Sequence, residues 1–341
     1  MRKLISGLVF IILTVAGCGG GSGGGSPPPP TSTAALQLFD EVWADFDANY
    51  SFFVLKGIDW QALRTQYRSQ LDSQSPDSEA YDVTAAMLLE LEDGHVRIES
   101  PFGTSTYTGW FDRFPENFDR TVVSASYLGS TEQISPQANL TYGLVAPGIG
   151  YVHVNSLGGS GYNADIEFIA GQLGAVQGLI VDLRNNGGGN DQNGQALVGR
   201  LTSTSQVYRR VRFRDGPNHD DFGPFIDSST TSVPPTLFNV PIAVLTNRRT
   251  ASSAESLVLA FRTLPNVVTI GDFTGGISAN PALRTMTNGW RYTVSRWIEY
   301  LPDNSTFEGI GLEPDIRVDI TPADQAVQRD SIIEAAIAVI Q

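Results

Sequence analysis

Cysteine is almost absent from this chain: among 341 residues there is one, Cys18. A lone cysteine excludes an intramolecular disulfide and a CxxC metal site, and its place near the N-terminus leaves no cysteine nucleophile in the folded part. Lysine is nearly as scarce, with only Lys3 and Lys56, so chemistry that needs a lysine base beyond residue 56 has no residue to use. The three histidines, His95, His153 and His219, are scattered and no HExxH occurs, so neither a metal nor a cofactor is expected. Positive charge is short overall: 22 Lys and Arg stand against 36 Asp and Glu, a net charge of −14. Loss of Arg2 and Lys3 with a leader leaves 20 basic residues against 36 acidic ones, near −16. That balance argues against nucleic acid or an anionic membrane surface as a partner. No internal repeat is visible.

The one apolar run of note is Leu4 to Val15, preceded by Arg2 and Lys3. It is too short for a comfortable membrane span and has the layout of a signal peptide over residues 1–17. Val15-Ala16-Gly17-Cys18 resembles a bacterial lipobox, which implies a lipid on Cys18 as the first mature residue. The expected location is therefore the bacterial cell envelope, lipid-anchored and periplasmic or at the cell surface. Gly19, rather than Asp, after the cysteine leans toward the outer membrane. Residues 18–33 are Gly/Ser-rich and then carry four prolines, a tether that is first flexible and then stiff. The formal GxSxG match at Gly20–Gly24 falls in this low-complexity stretch and carries no weight, and without another the ordinary hydrolase elbow is missing.

From Ala34 the character changes. Leu36, Phe39, Val42, Trp43 and Phe46 form a helical stripe, and residues 60–71 and 81–91 repeat the pattern. Residues 34–95 are expected to be a small N-terminal helical domain. Residues 100–145, polar and weakly alternating, leave no room for a PDZ-type module. Beyond them, residues 150–155 and 178–183 read as strands, with a helix over 165–173 between them and another over 192–201. A strand at 242–246, a helix from 254 and a strand near 267 continue the alternation. Residues 290–300 alternate like one strand, and 322–340 read as one closing helix. The expected fold class is mixed α/β, with residues 96–341 an α/β core of crossover βαβ units.

Chemistry concentrates in four places. Thr250-Ala251-Ser252-Ser253-Ala254-Glu255 sits between a buried strand and an amphipathic helix, where unpaired N–H groups and a positive dipole end suit a developing oxyanion. Ser252-x-x-Glu255 is equally a capping box. Asp182-Leu183-Arg184-Asn185-Asn186-Gly187-Gly188-Gly189 ends another strand in a glycine run that no Lys-Ser/Thr follows, so it is not a phosphate loop. Asp93-Gly94-His95 follows a helix, and Gly309-Ile310-Gly311-Leu312-Glu313-Pro314-Asp315 carries two carboxylates.

Together these boxes, in this order, resemble those of the tail-specific, C-terminal-processing serine proteases of peptidase family S41. The resemblance implies an S41 protease core, Ser252 as nucleophile and an extended peptide as substrate, added as a strand to a sheet edge. It also implies an oxyanion hole made by the N–H groups of Gly188 and Ser253. Many members use a Ser/Lys dyad, but Ile277 stands here where that lysine belongs, and only Lys56 could reach in from the helices. The resemblance then turns to the Ser/His/Glu branch, with His95 as base and Glu313 orienting it, Asp315 and Glu308 being close competitors. His153 reads as a core residue and His219 as solvated. A non-catalytic binding protein on the same scaffold, or an esterase or amidase, are the alternatives.

Overall fold

The computed structural model describes residues 33–341 apart from Pro115. Cys18, the leader and nearly all of the tether therefore lie outside the described residues. Residues 32–341 form one compact unit. It opens with helices α1 (Thr33–Asn49), α2 (Phe53–Lys56), α3 (Trp60–Arg68) and α4 (Asp77–Leu89). Asp59 caps α3 by accepting from the Ala62 N–H, and Gly57 ends α2 in the left-handed region at φ 66°. The stripe of Phe39, Val42 and Phe46 is fully buried, and Trp43 stacks on Trp60. These helices do not close a core of their own. Their apolar faces share one with Trp290, Tyr292 and Val294, which lie some 200 residues further along the chain. Burying an aromatic stripe needs a second layer, and a sheet supplies it.

The remaining elements, in chain order, are β1 (Arg97–Ser100), β2 (Gly103–Thr106), α5 (Gly109–Arg113), α6 (Arg120–Val122), β3 (Gln133–Ile134), β4 (Leu140–Ala146), β5 (Ile149–Val154), α7 (Tyr162–Leu173) and β6 (Gly178–Asp182). Then follow α8 (Asp191–Gly199), β7 (Val207–Phe213), β8 (Ile226–Ser229), β9 (Ile242–Thr246), α9 (Ser253–Phe261), β10 (Val267–Gly271), β11 (Pro281–Thr285), β12 (Arg291–Ser295), β13 (Trp297–Tyr300) and β14 (Ile316–Arg317). The chain closes with α10 (Pro322–Ala326) and α11 (Ser331–Ile340). An antiparallel sheet of order β11-β12-β1-β2 receives the N-terminal helices, and a small sheet β13-β7-β8 stands beside the core.

The core is a seven-stranded sheet of order β14-β10-β9-β6-β5-β4-β3, parallel from β5 to β14. Both faces are covered, so β6 and β9 are buried at every position. Leu179, Val181, Ile242 and Val244 point to the layer of α7, α8 and α9, whereas Ile180, Ala243 and Leu245 point to α11. The carboxyl ends of β6 and β9 thus lie side by side, and the loops leaving them meet, where open α/β sheets place their sites.

Two expected elements are split. The run at 290–300 breaks at Arg296 into β12 and β13, which belong to different sheets. The closing helix breaks where Gln328 takes φ 54° and Asp330 caps α11 by accepting from the Ile332 and Ile333 N–H groups. Asp330 also pairs at 2.8 Å with the fully buried guanidinium of Arg184, whose other arm holds Asp182 at 2.6 Å. The break therefore places a carboxylate under the glycine-rich loop, where an uninterrupted helix would have none.

Candidate active site

Residues 247–252 carry the chain from β9 into α9. The loop is stitched to its neighbour: Ala251 N–H donates to Asn186 O at 2.9 Å, and Thr250 Oγ1 donates to Leu183 O at 2.9 Å. Ser252 stands at φ 56°, ψ −130°, a conformation that costs a non-glycine residue on the order of 1–3 kcal/mol. Its N–H is held by Ile277 O at 2.9 Å and Glu255 Oε2 at 3.1 Å. Glu255 thus fulfils the capping-box expectation, and it is fully buried. Burial pushes its carboxyl up to about 8, against the pull of hydrogen bonds from Thr274 Oγ1, Gly276 N–H and Ile277 N–H. Its role is to hold the turn. Ile277, standing where the dyad lysine would, contributes through its backbone.

The Ser252 hydroxyl is turned toward His95, whose Nε2 lies 3.2 Å from Oγ across 157 positions of sequence. His95 is positioned from two sides. Asp93 Oδ1 accepts its N–H at 2.8 Å, an Asx-type turn, and Thr293 Oγ1 of β12 donates to its carbonyl at 2.6 Å. Burial lowers the imidazole pKa; the Asp93 charge opposes this and Lys56 adds to it. A neutral imidazole can accept the serine proton at Nε2 when Nδ1 carries the ring hydrogen. Nδ1 is buried and has no hydrogen-bond partner among the described residues.

Glu313 does not supply that partner. Its side chain is exposed, and its carbonyl accepts from Arg262. The physical reason is the turn before it: Gly309 and Gly311 take φ 75° and 89°, and Leu312 N–H is tied to Thr274 Oγ1, so the chain after 312 heads for β14. Asp315 accepts from the Thr269 N–H and hydroxyl at 2.8 and 2.7 Å, pinning that edge strand. Glu308 is the buried one of the three. It accepts from Ser278 N–H and Oγ and lies 3.6 Å from Lys56 Nζ; burial and the Asp93 charge raise it to about 7. Lys56 also donates to the carbonyls of Leu91 and Glu92, and it makes no hydrogen bond to Ser252. The carboxylate that sequence reasoning passed over is Asp93, which also accepts from Ser295 Oγ at 2.8 Å. Its signal was present in the Asp-Gly-His box.

The glycine loop needs a similar correction. Gly188 N–H donates to Asn186 Oδ1 at 2.9 Å and is therefore occupied. Its φ of 98° and its lack of Cβ instead let the loop pass against Ser252. Gly189 and Ser253 border the cavity at Ser252, and their N–H groups have no acceptor among the described residues. His153 is buried, with Nε2 near Arg184 O, as a core residue should be. His219 is not simply solvated: it bonds Asp47 at 2.9 Å and packs at a tilt against the Phe53 ring.

A sequence profile of peptidase family S41 matches residues 148–318, and one of the tricorn protease C1 domain matches residues 33–88. The tricorn protease of Thermoplasma acidophilum is 26% identical over 191 residues, covering 55% of this chain and 16% of that protein. The chloroplastic C-terminal processing peptidase of Tetradesmus obliquus is 30% identical over 159 residues, covering 44% of this chain and 31% of that one. The chain thus spans less than a third of the length of either curated relative. The crystal structure of a candidate peptidase from Parabacteroides merdae superposes with a TM-score of 0.82 at 29% identity, covering 91% of this chain and 96% of that one. With the S41 profile spanning half of the sequence and enclosing both the glycine loop and the Ser252 turn, this chain belongs to peptidase family S41.

Proposed function

We propose that the chain is a serine endopeptidase that cleaves extended peptides through an acyl-enzyme, held at the cell envelope by a lipid on Cys18. The observation that carries the reading is the 3.2 Å approach of His95 Nε2 to a serine hydroxyl at a strained strand-to-helix turn. Ser252 Oγ attacks the peptide carbonyl while its proton passes to His95 Nε2, and the carbonyl oxygen becomes an oxyanion. The N–H groups of Ser253 and Gly189 receive that oxyanion; one such donor is typically worth about 10²–10³ in turnover. His95 then returns the proton to the leaving amine, releasing the first product and leaving an ester on Ser252. Water, deprotonated by the same imidazole, hydrolyses the ester. The Asp93 charge stabilises the imidazolium that forms in each half, while its bond to the His95 N–H holds the backbone and not the ring. Depressed basicity keeps His95 neutral, and therefore able to act as base, at neutral pH.

The test is a fluorophosphonate serine probe read by intact mass on the wild-type chain, Ser252→Ala and His95→Ala. Labelling of wild type alone supports the reading. Labelling that survives His95→Ala, or a folded wild type that does not label, refutes it. The anchor is tested separately: Cys18→Ala should release the protein from membranes and abolish fatty-acid incorporation.

A further inference from the structure

The cavity beside Ser252, about 670 Å³ in volume, carries a charge arrangement that the acyl-transfer steps do not use. On the peptidase reading, we infer that it is the pocket for the residue on the acyl side of the cleaved bond (P1), and that Asp191 and Glu299 select a cationic side chain there, lysine or arginine.

Its floor holds Arg209, which invites the opposite conclusion. The guanidinium, however, is already committed. Nη2 donates to Asp191 at 2.6 Å, Nη1 to Ser256 Oγ at 2.5 Å and to Glu299 at 3.2 Å, and Nε to Ser228 Oγ at 3.3 Å. Arg209 and Glu299 are both buried, at 6% and 2% exposure. Ser256 Oγ in turn donates a hydrogen bond to Glu299 Oε1 at 2.9 Å. The donors of Arg209 are therefore nearly spent, and burial raises the Glu299 carboxyl that it holds to about 7, so the carboxylate left facing the cavity is that of Asp191. The side chain of Asp191 is one-third exposed, and its Oδ1 accepts no hydrogen bond among the described residues.

Each class of P1 side chain meets this floor differently. A carboxylate would be set against the like charge of Asp191. An aliphatic group would cover Asp191 and strip its water without replacing the lost interaction, which is costly for a charge. A lysine or arginine head supplies the missing positive charge, and its methylene stem can lie along Trp297. That indole is fixed by its N–H bond to Ser278 O at 2.9 Å and by the Arg209 guanidinium 5.3 Å from the ring.

The experiment uses peptidyl diphenyl phosphonates identical except for lysine, norleucine or glutamate at P1. They are applied to the purified full chain, to Asp191→Asn and to Asp191→Lys, with labelling rates at Ser252 read by intact mass. The expected result is a lysine-to-norleucine rate ratio of at least about tenfold in wild type. That ratio should fall about tenfold in Asp191→Asn, and Asp191→Lys should favour glutamate; each is the scale of one hydrogen bond to a charged group. Glu299→Gln should lower the ratio in the same sense. A wild-type preference for norleucine or glutamate, or a ratio unmoved by the variants, overturns the pocket assignment while labelling at Ser252 upholds the peptidase reading. Failure of all three probes to label a folded chain overturns both.

Discussion

Gly188→Ala puts the packing around Ser252 to a direct test. A methyl group built at this position would lie 2.8 Å from Ser252 Cβ, 2.9 Å from Ala251 O and 2.9 Å from Ser253 N. Carbon atoms in contact prefer about 3.5–4.0 Å, so a gap of roughly 1 Å must open. None of the three atoms is the end of a flexible side chain, so the movement falls on the backbone that holds Ser252. Displacement by about 1 Å takes Oγ out of reach of His95 Nε2 and costs on the order of 10² in rate. The backbone adds its own penalty, since φ 98° costs alanine about 1–3 kcal/mol. The expected outcome is a loss of about 10² or more in kcat/KM on a peptide substrate, with a fall in Tm of about 2–9 °C. Gly187→Ala is the control one residue away: no atom lies within 4 Å of its added methyl and its φ is not positive. It should stay within a few-fold of wild type. Equal activity in the two variants, both folded, would refute the argument.

The acid limb of the kcat/KM profile should lie below pH 6.5, because His95 acts as base only when neutral and burial lowers its pKa. Lys56→Met removes a charge that depresses His95 and should move the limb to higher pH, whereas Asp93→Asn removes one that raises it and should move the limb lower. Shifts in the same direction for both variants would overturn the assignment. Arg184→Met leaves the buried carboxylates of Asp182 and Asp330 without their cation and should cost about 3–5 kcal/mol, read from urea midpoints.

The Ser252 turn was legible in the sequence because its signals are local. A β-branched run, a polar break, a Ser-x-x-Glu spacing and an apolar helical stripe fall within about 25 residues, and each follows from short-range sterics and hydrogen bonding. The same holds for the buried strands β6 and β9 and for the helical stripe of α1. Composition alone removed a lysine base after residue 56. Elements whose ends depend on distant partners were less legible. The break between β12 and β13 and the interruption before α11 serve a neighbouring sheet and the buried Arg184, neither of which a local pattern reports.

The site divides along the same line. That His95 and Ser252 meet is a property of the tertiary structure, since β12 and the Asp93 turn carry the imidazole to a helix 157 positions away. Three carboxylates fall within eight residues, and the sequence reading favoured Glu313 over its close competitors Glu308 and Asp315. Two glycines in the left-handed region send Glu308 into the buried cluster, Glu313 to solvent and Asp315 to a sheet edge. Residue types set what chemistry the chain could hold. Backbone direction, which long-range packing decides, set which of those groups face each other.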